Sequence, residues 1–239
     1  PKERVHLNTK LNSLTQHGTE VEAVAETRDG VIQIRAKKIV LAVPPRVVEK
    51  RVQFFPNLPN GAMQALAAIP TWMAGQAKIV AIYDRPYWRE AGLSGDAMSQ
   101  FGPMAEIHDA SPHEGGPFAL FGFVGVPAYV RAEHKDQLIQ LATEQLDRLF
   151  DGVLPEPQKI FFQDWAAEEF TATPKDISAG GRHPAYGYPI AFQNMWDGSL
   201  LLGSTEVAEQ FGGYLEGALE AAENTFDLLR RKTLVQQPD

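Results

Sequence analysis

The stretch that decides the fold is 199-SLLLGSTEVAEQFGGYLEGALEAAENTF-226. Its first four residues, 199–202, read as a short buried strand. A turn of small residues follows, and then an isolated acid, Glu206. Two adjacent glycines, Gly212 and Gly213, lead into a run with apolar residues at Leu215, Ala218, Leu219, Ala222, Phe226 and Leu229. That spacing keeps a 3.6-residue period and predicts a helix with this face inward and Glu216, Glu220, Glu223 and Asp227 outward. The start of such a helix offers unpaired N–H groups and a partial positive charge, which suits an anion or an electron-rich ring. Gly212 and Gly213 read in two ways: as room for something held close to the helix start, or as a turn that needs positive φ. This stretch alone leaves both open.

Working outward, the first part of the chain reads as a β-meander. Residues 5–14 contain a strand, residues 19–27 alternate through Val21, Ala23 and Ala25, and Asp29-Gly30 is a hairpin signal before residues 31–35 alternate again. In 37-KKIVLAVPP-45 the apolar run 39–43 fits a strand buried on both faces, ended by Pro44-Pro45. A short helix is expected over 61–69, strands over 76–83, 104–107 and 118–126, a helix over 134–150, and a strand over 159–165. The loop-rich 171-TATPKDISAGGRHPAYGYP-189 comes next. The class is α/β (α+β) with mixed sheets.

Composition sets limits. The 239 residues are 44% apolar and carry a net charge of −8 without a basic cluster, which argues against nucleic acid as a partner. No apolar run is long enough to cross a bilayer. The chain has no cysteine, which excludes disulfides, thiolate metal sites and cysteine nucleophiles, and agrees with a cytoplasmic location. His108 and His113 lack a third ligand nearby in sequence, so no metal site is expected. No Gly-x-Ser-x-Gly elbow is present. The chain starts at Pro1, without a signal-like segment, and enters a strand pattern almost at once, as a piece of a longer protein would.

Three segments together resemble the flavin-containing amine oxidase family, which includes monoamine, polyamine and L-amino-acid oxidases. They are 37-KKIVLAVPPRVVEKRVQFFPNLP-59, 75-GQAKIVAIYDRPYWRE-90 and 200-LLLGSTEVAEQFGGYLEGALEAA-222, in the family's order over nearly the whole chain. The family's N-terminal Gly-x-Gly-x-x-Gly unit, which holds the ADP half of FAD, has no counterpart here. The resemblance therefore implies the C-terminal half of a flavin amine oxidase. Residues 1–45 would be part of the FAD-binding domain, 46–196 the substrate-binding domain, 197–232 the C-terminal strand and helix of the FAD-binding domain, and 233–239 a tail.

The same resemblance supplies a site. The N–H groups of Gly213, Tyr214 and Leu215 would lie near the carbonyl edge of the isoalloxazine, in a segment running to Ala218, and Glu206 would accept hydrogen bonds from cofactor hydroxyls. The backbone of Leu11 would meet the adenine end, and Trp165 would lie near the flavin. Lys78 stands in a strand with apolar residues on both faces, so burial and a lowered pKa are expected; the matching family lysine holds a water beside flavin N5. Tyr214 matches one of two rings that flank the amine. The partner ring follows a Gly-Gly pair in the family, where this chain has Arg182 and His183, with Tyr186 and Tyr188 just beyond. FAD would be bound non-covalently, because no cysteine is available. The implied reaction passes a hydride from the amine α-carbon to N5, and O2 then reoxidises the flavin to give H2O2. The same architecture hosts flavin desaturases and porphyrinogen oxidases, and a non-catalytic assembly module is the other class of reading. Besides the amine and O2, the expected partners are the missing N-terminal half or a second copy, meeting the surface around 41–45 and the apolar flank of the last helix.

Overall fold

The structure, a computed structural model, describes residues 4–177 and 182–234, with side chains as far as residue 230. Strands β1 (Lys10–His17), β2 (Glu20–Thr27), β3 (Gly30–Ala36) and β4 (Ile39–Leu41) lead to helix α1 (Pro45–Arg51), strand β5 (Gln53–Phe55) and helix α2 (Asn60–Ala68). Next come β6 (Ala77–Tyr83), α3 (Tyr87–Glu90), β7 (Ala97–Met98), β8 (Met104–Asp109) and β9 (Phe118–Val124). Helices α4 (Ala128–Glu133) and α5 (Lys135–Leu149), strand β10 (Lys159–Asp164), helix α6 (Pro174–Ile177), strand β11 (Leu200–Leu202) and helix α7 (Leu215–Leu234) complete the order. Among the described residues no helix is long and apolar enough to cross a membrane.

Two compact units divide the chain: residues 1–72 with 179–239, and residues 73–178. In the first, the expected meander forms a four-stranded sheet in the order β3-β2-β1-β5. The Asp29-Gly30 hairpin closes with Gly30 at φ +126° and with Thr27 Oγ1 donating to Gly30 O at 2.8 Å. β4 and β11 make a two-stranded parallel sheet, Ile39 opposite Leu200. Pro44-Pro45 does more than stop β4. Pro45 opens α1, where its fixed φ suits a first helical position that needs no N–H.

The unit boundaries differ from those expected at 45/46 and 196/197, and the core explains why. Val48 of α1, Phe54 of β5, Leu66 of α2, and Phe192, Met195 and Trp196 pack into one core with Leu14, Val21, Leu200 and Leu202. Residues 46–72 and 182–196 thus fold with the meander. α7 continues through residue 234, past the expected tail boundary, while 235–239 lie outside the described residues.

The face of α7 also departs from expectation. Gly217, Ala221 and Thr225 point inward, whereas Leu215, Leu219 and Phe226 are 90%, 61% and 57% exposed. Small residues let the helix axis come close: a Cβ on Gly217 would collide with the Phe211 carbonyl, and Thr225 Oγ1 donates to Leu202 O at 3.3 Å. The hydrophobic stripe is therefore left on the outer side. Of the expected open patch at 41–45, Val43 is exposed, but Leu41 and Pro45 are buried in β4 and α1.

The second unit is an antiparallel sheet in the order β10-β6-β9-β8-β7. Its core joins Ala77, Ile79, Ala81 and Tyr83 of β6 to Trp88, Leu120, and Leu146 and Phe150 at the end of α5. Only one face of β6 is core. Lys78, Val80 and Ile82 stand half-buried on the other, so the buried setting expected for Lys78 is not realised.

Candidate active site

The corner between β11 and α7 is tied together by one hydroxyl. Thr205 Oγ1 accepts from Gly213 N at 2.9 Å and donates to Tyr214 O at 2.7 Å. Beside it in sequence, Glu206 is only 4% exposed, so this acid is not a solvated turn residue. Ser204 Oγ is buried too, and among the described residues it has no hydrogen-bond partner. From α7, Glu220 reaches back to accept from the amides of Glu209, Gln210 and Phe211 at 2.8–3.2 Å. Desolvation pushes the Glu220 carboxyl up, but the three N–H donors outweigh it and hold the pKa below the ordinary value.

The glycine pair meets the protein's own rings. A Cβ on Gly212 would stand 2.5 Å from Tyr186 Cδ2 and 2.9 Å from Ala208 O. On Gly213 it would stand 3.2–3.3 Å from Tyr186, His183 and Trp72, and the backbone there has φ +84°. The close approach is thus made by the protein's own rings, and positive φ is confined to Gly213.

The rings form a cluster. His183 and Tyr214 lie nearly parallel, 10° apart in plane with centroids at 5.3 Å. Trp72 meets His183 at 4.5 Å and Tyr214 at 4.9 Å, both edgewise, and Tyr186 meets His183 at 5.5 Å. His183 Nε2 is 2.9 Å from Gly212 O; because a carbonyl only accepts, this nitrogen carries the proton. The Tyr186 hydroxyl donates to Pro70 O at 2.8 Å and accepts from Trp72 N at 3.0 Å, pinning residues 70–72 to the loop. The structure thus brings together His183, Tyr186 and Tyr214. It adds Trp72, which sequence reasoning missed because an isolated tryptophan in an irregular stretch carries no periodic signal.

The backbone donors are partly committed. Gly213 N is held by Thr205, and Tyr214 N donates to Phe211 O at 3.1 Å. Ala218 N closes the first turn onto Tyr214 O at 3.3 Å, which leaves the amides of residues 215–217 without intrahelical acceptors. The Leu215 and Ala218 side chains are exposed. Leu11 sits at a bulge in β1, opposite Ala25, packed against the core.

Lys78 and Trp165 belong to the second unit. Lys78 is paired with Gln163 on β10 and Phe123 on β9, and its Nζ lies 4.6 Å from the Phe123 ring and 5.3 Å from Phe121. The two phenyl faces hold the ammonium over the open side of the sheet. Trp165, 40% exposed, donates its backbone N–H to Gln76 O at 3.0 Å, so it stands at the Lys78 end of the β6–β10 pair.

That end is anchored by a buried ion pair absent from the sequence-based expectations. Arg131, 4% exposed, donates Nε and Nη2 to the two Asp164 oxygens at 2.7 Å each, Nη1 to Val126 O at 2.7 Å and Nη2 to Gly75 O at 2.8 Å. Asp164 Oδ1 also accepts from Ala166 N at 3.1 Å, fixing the turn that carries Trp165. A lone arginine and a lone aspartate have no spacing signal. Gln145 was missed for the same reason: it pairs with Met104 as a strand would, accepting from N at 2.9 Å and donating to O at 2.7 Å.

With this geometry in place, a family model for flavin containing amine oxidoreductases matches residues 1–225. The chain belongs to that family. It is 29% identical over 232 residues to the putative flavin-containing monoamine oxidase AofH of Mycobacterium tuberculosis, across 92% of this chain and 46% of that protein. It is 29% identical over 198 residues to a putrescine oxidase of Kocuria rosea, across 79% of this chain and 39% of that protein. Its fold is similar to that of cyclohexylamine oxidase from Brevibacterium oxydans, with a TM-score of 0.71 at 21% identity, covering 93% and 48% of the two chains. The chain spans less than half the length of each of these flavin amine oxidoreductase relatives.

Proposed function

We propose that this chain carries the flavin-ring and amine-binding half of an FAD-dependent amine oxidase. The observation that carries the proposal is the corner at Thr205. It locks the buried Ser204–Glu206 turn to the start of α7 and seats Tyr214 in a ring cluster, within a segment the family model spans.

The residues present fit one end of FAD. Ser204 Oγ is a buried hydroxyl still open to a partner, and Gly203 has no room for a Cβ, which would lie 2.6 Å from Val40 Cγ1. The free amides at residues 215–217 and the dipole of α7 would stabilise negative charge on a bound ring. Glu206 would accept from cofactor hydroxyls, Leu11 would offer backbone contacts, and Trp165 would pack against the cofactor. The phosphate-binding Gly-x-Gly-x-x-Gly turn must come from another segment or polypeptide, since none occurs in the 239 residues. When bound, FAD supplies two-electron oxidation of the amine and passes the electrons to O2.

The chain's own residues have three tasks. Tyr214, with His183 and Tyr186, walls the amine and excludes water, which favours loss of its ammonium proton before oxidation. Lys78, with its Nζ above Phe123 and Phe121, would hold a water that assists reoxidation of the bound cofactor. Association is non-covalent, because no cysteine is present. A second copy of this chain is the other partner open to its exposed α7 stripe.

The test is reconstitution. FAD titrated into the 239-residue chain should bind weakly, because losing one of two linked sites weakens binding roughly 10²–10⁴-fold. Adding a family dinucleotide-binding half should restore tight binding, anaerobic bleaching of the flavin by an amine, and recovery of colour with peroxide on admitting O2. A reconstituted yellow complex that no amine bleaches would overturn the proposal.

A further inference from the structure

The open face of the second unit's sheet carries a row of side chains that crosses all five strands. Gln163 of β10 pairs with Lys78 of β6, Lys78 with Phe123 of β9, Phe123 with Glu106 of β8, and Glu106 with Met98 of β7. Residues directly opposite one another share a face, so these five side chains stand in line on the side away from the core. Phe121 adds a second ring, 5.6 Å from Phe123 between centroids. Most polar groups here are already engaged. Lys78 Nζ lies over the two phenyl rings, Gln163 donates to Glu168 at 2.8 Å, and His108, opposite Phe121, is 3.0 Å from Asp96. Glu106 is different: half-buried, its side chain has no hydrogen bond or ion pair among the described residues.

We propose that Glu106 is a specificity residue that receives the second ammonium of an α,ω-diamine. This rests on the amine oxidase reading, in which Lys78 marks the end of the row where the amine is oxidised. Two strand spacings separate Lys78 from Glu106, about 10 Å between backbones. The Phe123 ring fills the interval. A diamine lying along the row has its first nitrogen and α-carbon at the Lys78 end, and its methylenes lose water against the phenyl faces. Its far nitrogen then reaches the carboxylate, which accepts a charge-assisted hydrogen bond. A monoamine of the same length brings a methyl group there and leaves the carboxylate unpaired. The two ends also sort the nitrogens. The Lys78 ammonium disfavours a second cation beside it, whereas Glu106 favours one, so the neutral, oxidisable nitrogen lies at the first end and the charged, anchoring one at the second. No proton or electron moves at Glu106; it selects and orients.

The test compares diamines from 1,3-diaminopropane to 1,8-diaminooctane with n-alkylamines of equal carbon number, on the chain reconstituted with a dinucleotide-binding half. The diamine should be favoured in kcat/KM by roughly 10–100-fold, mostly through KM, with an optimum at intermediate length. E106Q keeps the shape and removes the charge. It should cut the diamine's kcat/KM by roughly that factor and the monoamine's far less, and E106L should reverse the preference. A second measurement needs neither cofactor nor turnover. In the full 239-residue chain, the carbon-13 resonance of the Glu106 carboxyl, assigned by its absence from E106Q, should shift on titration with 1,5-diaminopentane dihydrochloride. Sodium chloride at matched ionic strength should leave it in place. Amine oxidation without diamine preference, or equal losses for both amines in E106Q, would overturn the proposal and leave the oxidase reading intact. An unmoved resonance would also overturn it. A resonance that shifts, in a complex whose flavin no amine bleaches, would keep Glu106 as a diammonium site and sink the oxidase reading instead.

Discussion

Replacing Arg131 with methionine should cost the second unit more than any surface change. The substitution removes two 2.7 Å bonds from Asp164, whose side chain is only 12% exposed, and strips Gly75 O and Val126 O of their donors. Leaving a buried carboxylate without its cation costs about 3–5 kcal/mol. For a unit of roughly one hundred residues, a loss of that size lowers the melting midpoint by about 4 °C or more per kcal/mol, or ~12–20 °C in all. R131M/D164L removes both charges. It should recover most of the loss, retaining a deficit of about 1 kcal/mol from the lost cap on Ala166 N. Urea and thermal melts by near-UV circular dichroism, which reports Trp88 in the unit's core, give the three stabilities. If R131M loses less than about 1 kcal/mol, or the double variant is no more stable than R131M, Arg131 is not the anchor of the Lys78 end of the sheet.

Other perturbations probe separate parts of the molecule. G212A should destabilise the first unit by about 1–3 kcal/mol, because the new Cβ lands 2.5 Å from Tyr186 Cδ2; G212A/Y186A should be less destabilised than the sum of the single changes in the same melts. K78M should leave the melting midpoint nearly unchanged, since a half-buried ammonium is exchanged for apolar matter of similar length. In stopped flow with the reconstituted enzyme it should slow the oxygen half-reaction far more than the anaerobic amine half-reaction; equal slowing would show another role. Asp109 gives a pH signature. Desolvation raises its pKa, but hydrogen bonds from Arg89, Trp88 and Ser111 outweigh that and hold it at about 2, below the ordinary 3.8. Its stabilisation is therefore complete above about pH 4 and fades as the pH falls through about 2. D109N should flatten that part of the stability profile, as measured by urea midpoints.

Much of the fold was legible because it depends on period and punctuation. The Asp29-Gly30 hairpin, the alternation in β2 and β3 and the helical spacing of α5 are local signals, and each matches the observed element closely. Other features depend on what the chain meets far away. The apolar stripe of α7 was plain in the sequence, but it was assigned to the wrong side: the close approach is made by Gly217, Ala221 and Thr225, whose value lies in being small. Pro44-Pro45 read as a stop because a proline ends a strand; the same ring also starts a helix. At the site, the motif around Glu206 and Tyr214 carried its own message. Arg131, Gln145 and Trp72 act through partners 33, 41 and 114 residues away, and no spacing rule reaches that far.

The parallel pairing of β4 with β11 imposes an order of events during synthesis. Ile39 leaves the ribosome roughly 160 residues before its partner Leu200, a delay of about 10–30 s at ordinary elongation rates. The intervening residues 73–178 form a contiguous unit with its own core and need nothing from either end of the chain to complete their sheet. The insert can therefore finish while the unit that flanks it still lacks a strand and its longest helix. Until those arrive, β4 lacks β11, its partner among the described residues. The corner held by Thr205 can close only after β11 and the start of α7 have both been made.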